Sequence, residues 1–522
     1  MREVILKDTT FRDGLQNEEA ELTNMDDFLK AIQAIDSIGV KYIEAGFPSS
    51  SRVSFERVKK ACQLETRAKI CAFGRTHLSD VEEILKLKEV GLRCGVLVGK
   101  TRTRDVEAGL RKNLDENLLM IEKTISLLKN EGFEVFFDAE HFFQAFLEDD
   151  KTYALEVIET AKKAGADWIV LCDTNGKMTP QKVAFVFREM KEKFPDINFG
   201  FHPHNDRGRA LANAERAWLE GVSLFEGTVG GIGERVGNLD LCQFIPNLVL
   251  DFGAKGISKR ELQNLRQTYL IVCDALNLPP QKNIPWVGDS AFYTEAGMHQ
   301  SGLNRDPGSY WHADPSIVGN RPRVGVSDQS GKANLKAKAK EFGIFLTEKE
   351  LERLAKRHKL LVEQGINFGL ADASLYLFFL RELNKLPPLF KKTEFEVIER
   401  KRNKKPIEAE ARVKVKLTDE EEKILVAEEK GNGPVNALDR ALRKIFFQFF
   451  EWRKIKKTSL VDFKVTMVDH RGTASKVRVL LTFSDGKKTW RTVAVHENIC
   501  LLYTSDAADD GESVDLGGRR II

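Results

Sequence analysis

The chain has 522 residues, 42% of them hydrophobic and 30% charged, with a net charge of +3. This composition is typical of folded globular proteins of more than one domain, and the charge bias is too small to indicate a nucleic-acid or membrane-surface partner. The seven cysteines contain no C-x-x-C pair, and no apolar run approaches the ~18 residues of a membrane span. Since a strand-like run begins within three residues of the start, we also expect no signal peptide. The composition therefore predicts a cytoplasmic protein with reduced thiols.

Eight short apolar runs in the first half of the chain predict eight β-strands. They cover residues 3–10, 41–47, 68–74, 93–100, 134–141, 168–174, 198–205 and 224–231. Segments of helical period, such as 25–39 and 151–166, lie between them. Eight strand–helix units predict an α/β fold with a (β/α)₈ TIM barrel over residues 1–255. A doubly wound sheet is the alternative, and the even spacing of the units favours the closed barrel.

The second half of the chain has a different pattern. Residues 256–395 are helical in period apart from a Gly/Pro-rich section at 286–312, and predict a helical linker region or subdomain. The basic run 399–406 lacks interleaved aromatic residues and predicts a solvated linker. One helical and three strand-like segments then predict a small α/β domain within 396–499.

The last residues, 500–522, break this pattern because they complete neither a helix nor a sheet. They resemble translated read-through of a sequencing adapter, so we expect a non-native tail. The preceding domain would then lack its native end.

Polar residues end several of the predicted strands, where a core would not select them. In TIM barrels the carboxyl-terminal ends of the strands carry the active site. Any one of these residues could be a helix cap, but their recurrence at equivalent positions favours a functional site. The set is Glu44, Glu140, Asp173, Thr174, His202 and His204.

A metal site is predicted at the end of the seventh strand. His202 and His204 are two residues apart in a strand, so both imidazoles lie on one face. Asp13, after the first strand, and Asn238, after the eighth, could complete the ligand set, because these two strands adjoin when a barrel closes. Such a set suits Mg²⁺, Mn²⁺ or Zn²⁺. The alternative is a hydrogen-bonded polar cluster without a metal.

Other residues near these strand ends are candidates for catalysis and substrate binding. Arg12, beside Asp13, supplies a cation where a carbonyl oxygen becomes an oxyanion. Thr174 could donate to a substrate carboxylate, and Gln16 is a further candidate for binding substrate. Glu140 could take part in proton abstraction.

Four segments carry a resemblance to a known family: DTTFRDGLQ, LCDTNG, HPHND and GGIGERVGN. They resemble the metal-dependent barrel family that contains isopropylmalate, homocitrate and citramalate synthases and hydroxymethylglutaryl-CoA lyase. The resemblance covers residues 1 to about 499. It implies that Asp13, His202, His204 and Asn238 bind the metal. It also implies that Arg12 and Thr174 contact a 2-oxo acid and that Glu140 is at the catalytic centre.

Within that family, the lyase breaks a carbon–carbon bond and the synthases make one. The segment RDGLQNE resembles the lyase more closely, but the lyase carries a catalytic cysteine in the loop after its last strand. The corresponding loop here, GTVGGIGERVGN, has none, and the chain continues through further domains as synthases do. The resemblance therefore favours a synthase.

Among the synthases, the resemblance is greatest to the longer citramalate synthases. It implies condensation of acetyl-CoA with pyruvate, release of CoA and a place in isoleucine biosynthesis. It further implies that His299 and Tyr310 reach an active site in the partner subunit of a homodimer. Residues 396–499 resemble a regulatory domain of the isopropylmalate-synthase type, which binds the end-product amino acid, and the loss of its native end puts this feedback inhibition in question. The segments AGFPSS and AGMH depart from that group's pattern and could alter the preference for the 2-oxo acid.

Two alternative functions stay open at this point. One is an isopropylmalate or homocitrate synthase that uses a larger 2-oxo acid, because the pocket walls come from several loops. The other is a catalytically silent amino-acid sensor, which the intact set of candidate site residues disfavours.

Overall fold

The computed structural model describes residues 2–295, 299, 302–303, 305–328, 330–369, 371–386, 390–400, 408–417, 423–449, 458–469, 471–472, 475–486 and 488–497. The predicted non-native tail, 500–522, lies outside the described residues. The chain forms two compact units. The first covers Met1–Phe292 with Ala313–Pro322, and the remaining described residues form the second.

A closed barrel of eight parallel strands forms the first unit, which confirms the predicted fold class. The strands pair in sequence order, and β1 pairs with β8 to close the barrel, with Lys7 opposite Glu226. They are β1 (Ile5–Asp8), β2 (Tyr42–Glu44), β3 (Lys69–Arg75), β4 (Cys94–Lys100), β5 (Glu134–Glu140), β6 (Trp168–Asp173), β7 (Phe199–Pro203) and β8 (Leu224–Gly227).

Helices surround the barrel and cover its strands. They are α1 (Met25–Asp36), α2 (Arg52–Ala61), α3 (Leu78–Lys86), α4 (Leu114–Asn130), α5 (Phe142–Glu148), α6 (Lys151–Lys163), α7 (Pro180–Lys193), α8 (Ala210–Leu219), α9 (Leu241–Leu250), α10 (Lys259–Gln263) and α11 (Leu265–Ala275). Their ends follow local chemistry: the Asn113 side chain accepts the N–H of Glu116 at the start of α4, and Glu116 accepts that of Asn113 in return. No helix of the described part of the chain is long and apolar enough to cross a membrane.

The lower interior of the barrel is apolar. Side chains from successive strands fill it in layers, as parallel strands buried on both faces require. The cluster comprises Tyr42, Cys71, Cys94, Val96, Phe136, Val170, Cys172 and Leu224. Charged residues replace apolar ones nearer the carboxyl ends of the strands, where the candidate site lies.

The described residues of the second unit form two antiparallel three-stranded sheets, a two-stranded parallel sheet and several helices. Its elements are β9 (Tyr293–Thr294), β10 (Arg323–Val324), α12 (Lys332–Glu341), α13 (Glu348–Glu363), α14 (Asp372–Glu382), β11 (Phe390–Arg400), β12 (Glu408–Leu417), β13 (Ile424–Gly431), α15 (Pro434–Phe449), β14 (Ser459–Met467), β15 (Val477–Ser484) and β16 (Thr489–His496). The three strand-like segments at the end of the chain are β14, β15 and β16, which pair in that order.

The sheet β11–β12–β13 was not predicted. β11 crosses the boundary expected between residues 395 and 396, and its last two residues belong to the basic run that predicted a linker. The other residues of that run, 401–406, lie outside the described part of the chain. Alternate residues of β12, from Ala409 to Val415, are buried against α15, so the sheet has its own apolar core.

Candidate metal centre and active-site cleft

Three side chains that could bind a metal meet at the carboxyl-terminal mouth of the barrel. Asp13 follows β1, His202 lies in β7 and His204 directly follows β7, and all three are buried. His202 Nε2 lies 3.4 Å from Asp13 Oδ2 and 3.2 Å from His204 Nε2. Ligand atoms of the three residues all lie within 4.8 Å of one another, so one cation could contact all of them.

Local backbone geometry explains this arrangement. The carbonyl oxygen of Thr9 accepts the N–H groups of Arg12, Asp13 and Gly14. The chain therefore turns tightly after β1 and keeps Asp13 at the barrel mouth. The two histidines share a face because they are separated by one residue of extended chain.

Asn238 lies beside this triad in the loop after β8. Its backbone forms an antiparallel bridge with His204, and its N–H donates to the carbonyl of Gly231 at 3.0 Å. A Cβ placed on Gly233 would lie 2.4 Å from Asn238 Nδ2 and 3.3 Å from Asp13 Oδ1. The asparagine and the aspartate therefore flank the same glycine.

The unpartnered atoms of the cluster fit a divalent cation. Among the described residues, buried Asp13 Oδ1 and Asn238 Oδ1 have no hydrogen-bond partner. Oxygen and imidazole ligands of this kind bind Mg²⁺, Mn²⁺ and Zn²⁺. A polar cluster without a metal would be expected to pair these oxygens internally, so the geometry favours a metal site.

The three side chains of the triad differ in charge because each has a different set of neighbours. Burial would raise the pKa of Asp13, but Arg12 and His202 hold that pKa well below its usual range. Burial disfavours a charged His202, yet its contacts with Asp13 and Glu226 raise its pKa to about 10. Burial and the charge on His202 lower the pKa of His204 to about 3, so this second imidazole is neutral.

Glu226, on β8, orients His202 and was not predicted from the sequence. Its Oε2 lies 2.9 Å from His202 Nδ1. A carboxylate that accepts the Nδ1–H leaves Nε2 free to bind a metal, as in carboxylate–histidine–metal arrangements. Burial would raise the pKa of Glu226, but Lys7 and His202 lower it to about 2, so it is anionic.

Arg12 is held in place from three sides at the barrel mouth. Its Nε donates to Glu44 at the end of β2, and its Nη1 donates to Asp13 at 2.8 Å. The guanidinium lies over the Phe73 ring, 4.3 Å from its centroid. These contacts fix a positive charge next to the candidate metal site.

A cleft of about 540 Å³ opens beside Arg12, and Gln16 and Glu140 also line it. Glu140 forms an ion pair with Lys100, its register partner at the end of β4. Lys100 lines the same cleft and was not predicted. The candidate base therefore has a fixed cationic neighbour.

The other predicted residues lie in two places. Thr174 follows β6, and its hydroxyl oxygen accepts the N–H of His141 at 2.9 Å. His299 and Tyr310 belong to the second unit, where their rings contact each other with centroids 4.4 Å apart. Both of these side chains are exposed.

The residues that the sequence prediction missed share one signal. Lys7, Lys100 and Glu226 are charged residues in or at the end of strands that are mostly apolar. A charge at an inward-facing barrel position needs a partner, and register between strands identifies that partner only once the barrel is known.

Three family models match the chain in succession. The HMGL-like model matches residues 3–269, the homocitrate synthase post-HMGL domain-like model matches 286–366, and the LeuA allosteric (dimerisation) domain matches 369–501. The first match coincides with the barrel and the candidate metal centre. Fold and site thus define an enzyme of the HMGL-like class.

Curated relatives narrow this class further. The (R)-citramalate synthase of Aquifex aeolicus is 38% identical over 95% of this chain and 94% of its own length. That of Geobacter sulfurreducens is 39% identical over the same shares. A 2-isopropylmalate synthase from Methanocaldococcus jannaschii is 29% identical over 99% of this chain and 95% of its own. The chain belongs to the (R)-citramalate synthase family.

Proposed function

We propose that the chain condenses acetyl-CoA with pyruvate and hydrolyses the resulting thioester to give (R)-citramalate and CoA. The observation that carries the proposal is the fixed Arg12 guanidinium, 2.8 Å from Asp13 at a histidine-containing candidate metal centre. The family relationship along nearly the whole chain gives the class of reaction. Two cavities, of about 540 and 450 Å³, flank the site, one lined by Arg12 and the other by Asn238, which offers room for two substrates.

Asp13, His202, His204 and Asn238 would hold a divalent metal, for which we propose Mg²⁺ or Mn²⁺, with Zn²⁺ as a further candidate. Such a cation, when bound, polarises the ketone of the 2-oxo acid. Arg12 stabilises the negative charge that develops on the ketone oxygen, and Glu44 keeps its guanidinium oriented. Gln16 and Thr174 are proposed to bind the 2-oxo acid.

A base removes one proton from the methyl group of acetyl-CoA, and the carbanion forms a bond to C2 of pyruvate. The ketone oxygen takes up a proton and becomes the hydroxyl of the product. Water then replaces CoA at the thioester carbon. We propose Glu140 as this base, with the pair His299 and Tyr310 as the alternative. The proximity of Lys100 to Glu140 supports a carboxylate held ready at the cleft.

The match to an allosteric (dimerisation) domain over residues 369–501 supports two further proposals. The chain forms a homodimer, and a pathway end product such as isoleucine binds the second unit. Analytical ultracentrifugation tests the first proposal, which a monomer would contradict. Isothermal titration calorimetry with isoleucine tests the second proposal, which the absence of binding would contradict.

The decisive experiment measures CoA release from acetyl-CoA with Mg²⁺ or Mn²⁺, comparing pyruvate, 2-oxoisovalerate and 2-oxoglutarate. We expect CoA release to be fastest with pyruvate by a wide margin. The His202→Ala variant should lose this pyruvate-dependent release. Preference for a larger 2-oxo acid would move the enzyme to an isopropylmalate- or homocitrate-forming reaction. No release with any of the three would refute the synthase and favour an amino-acid sensor. Lys129→Met, which breaks an ion pair with Asp167, is a suitable control.

A further inference from the structure

Lys7 is a buried lysine inside the barrel, and the proposed metal site and reaction assign it no role. It is the third residue of β1 and is completely shielded from solvent. Its Nζ lies 4.7 Å from the centroid of the Phe136 ring, above the apolar interior. A lysine in such a place is rare unless its charge is paired.

Three carboxylates surround the Lys7 ammonium. The distances from Nζ are 2.6 Å to Glu226 Oε1, 3.2 Å to Glu44 Oε2 and 3.9 Å to Asp138 Oδ1. All three acidic side chains are buried. Without the ammonium, these carboxylates would repel one another in a medium of low polarity.

The two nearest carboxylates each use their second oxygen to hold a residue of the site. Glu226 Oε2 contacts His202 Nδ1 at 2.9 Å, and Glu44 Oε1 accepts from Arg12 Nε. Lys7 thus contacts the carboxylates that hold the candidate metal ligand His202 and the candidate oxyanion-binding residue Arg12. No other cation of the described chain is within ion-pairing distance of Glu226, apart from His202 itself.

We propose that Lys7 is a positioning residue for the reaction: its ammonium fixes Glu226 and Glu44, and through them sets the orientation of His202 and Arg12. This inference rests on the proposed metal site and reaction. Because one cation holds both glutamates, removing it disturbs metal binding and 2-oxo acid binding together.

If Lys7 acted through its charge alone, its removal would change the metal affinity in the opposite direction. Removing a nearby positive charge would strengthen the binding of a divalent cation, because it removes the Coulomb repulsion between the two cations. Loss of a positioning contact weakens it instead, and disturbing the partners of metal ligands typically costs 10- to 100-fold in metal affinity or activity. The direction of the change in metal affinity therefore distinguishes a positioning role of Lys7 from a role through charge alone.

The test uses the full chain with Lys7→Met, which keeps the length and removes the charge. Mn²⁺ affinity is measured by electron paramagnetic resonance, without substrate, and KM for pyruvate by CoA release. We expect Mn²⁺ affinity to fall about 10- to 100-fold and KM to rise, with Lys129→Met unchanged in both. Tighter Mn²⁺ binding, or no change in either quantity, would overturn the inference.

A second comparison keeps the test valid if Lys7→Met does not fold. Glu226→Gln and the double variant Lys7→Met/Glu226→Gln are compared. We expect the double variant to bind Mn²⁺ no more weakly than Glu226→Gln, because Lys7 acts on His202 through Glu226, but to have a higher KM for pyruvate through the Glu44–Arg12 contact. Weaker Mn²⁺ binding by the double variant, or equal KM values, would contradict the inference. Failure of the unsubstituted chain to bind Mn²⁺ would instead overturn the proposed metal site itself.

Discussion

Gly233 is the residue at which the smallest chemical addition would reach the candidate metal site. An alanine Cβ there would lie 2.4 Å from Asn238 Nδ2 and 3.3 Å from Asp13 Oδ1, so at least one of these side chains must move. We expect Gly233→Ala to lower Mn²⁺ affinity and CoA release roughly 10-fold or more. Gly109→Ala is the matched control, because its added Cβ would meet no atom within 4 Å. Equal activity of the two variants would show that Asn238 is not a ligand.

The pair of Lys100 and Glu140 makes a second prediction about individual residues. If Glu140 is the base, Glu140→Gln lowers kcat by about 100-fold or more. Lys100→Met lowers kcat by disturbing the Glu140 carboxylate, so it has little further effect once Glu140 is glutamine. Exchange of the acetyl-CoA methyl protons with deuterated water measures the base directly. Undiminished exchange in Glu140→Gln would transfer the role to His299 and Tyr310.

The sequence predicted some residues of the site and not others for a physical reason. His202 and His204 are close in the chain, and their two-residue spacing fixes a shared face. Lys7 and Glu226 are more than two hundred residues apart, and neither local sequence indicates the other as its partner. Only the closure of β1 on β8 brings them into register, so their pairing could not be predicted from local pattern.

At the scale of elements, the sequence predicted the strands that consist of strongly apolar residues. It did not predict the strands that are only weakly apolar. Seven of the eight barrel strands fall within the predicted runs, and β3 ends one residue beyond its run at Arg75, because parallel strands buried on both faces are apolar along most of their length. β12 buries alanines and valines on one face and exposes charged residues on the other. Alanine is only weakly hydrophobic, and the adjoining basic run favoured a linker. The alternating pattern of β12 therefore did not predict a strand.

Helix α13 carries a buried histidine whose ionisation is linked to the stability of the second unit. His358 is 1% exposed, and its ring stacks on Phe368. Burial lowers the pKa of His358 to about 4, although Asp328 opposes this shift. The usual value in an unfolded chain is about 6.5. Between these two values the unfolded chain binds more protons, so the free energy of unfolding falls as pH falls from about 6.5 to 4.

The corresponding prediction concerns His358→Leu. Hydrogen exchange of peptides from α14 and β15, which belong to the same core as Phe368, is compared at pH 7 and pH 5 after correction for intrinsic rates. We expect the native chain to lose protection on acidification, by a few kcal/mol at most, and the variant to lose less. An equal loss in both chains would contradict a neutral buried histidine.

At the scale of the whole molecule, the candidate metal ligands join distant parts of the barrel sequence. Asp13 follows β1, His202 and His204 lie at the end of β7, and Asn238 follows β8. A cation bound by all four would link the strands at which the barrel closes. Because a ligand that binds only the folded state stabilises it by mass action, metal should raise the free energy of unfolding of the first unit.

We expect Mn²⁺ at 100 times its dissociation constant to stabilise this unit by about 2.7 kcal/mol. Hydrogen exchange of peptides from β1, β7 and β8, with and without Mn²⁺, measures the effect. Peptides from β12 and β13, which contain no proposed ligand, are the internal reference. His204→Ala removes one ligand without touching Lys7 or Arg12 and should abolish the difference. Protection that persists in His204→Ala, or that appears equally in the reference peptides, would place the bound metal elsewhere in the chain.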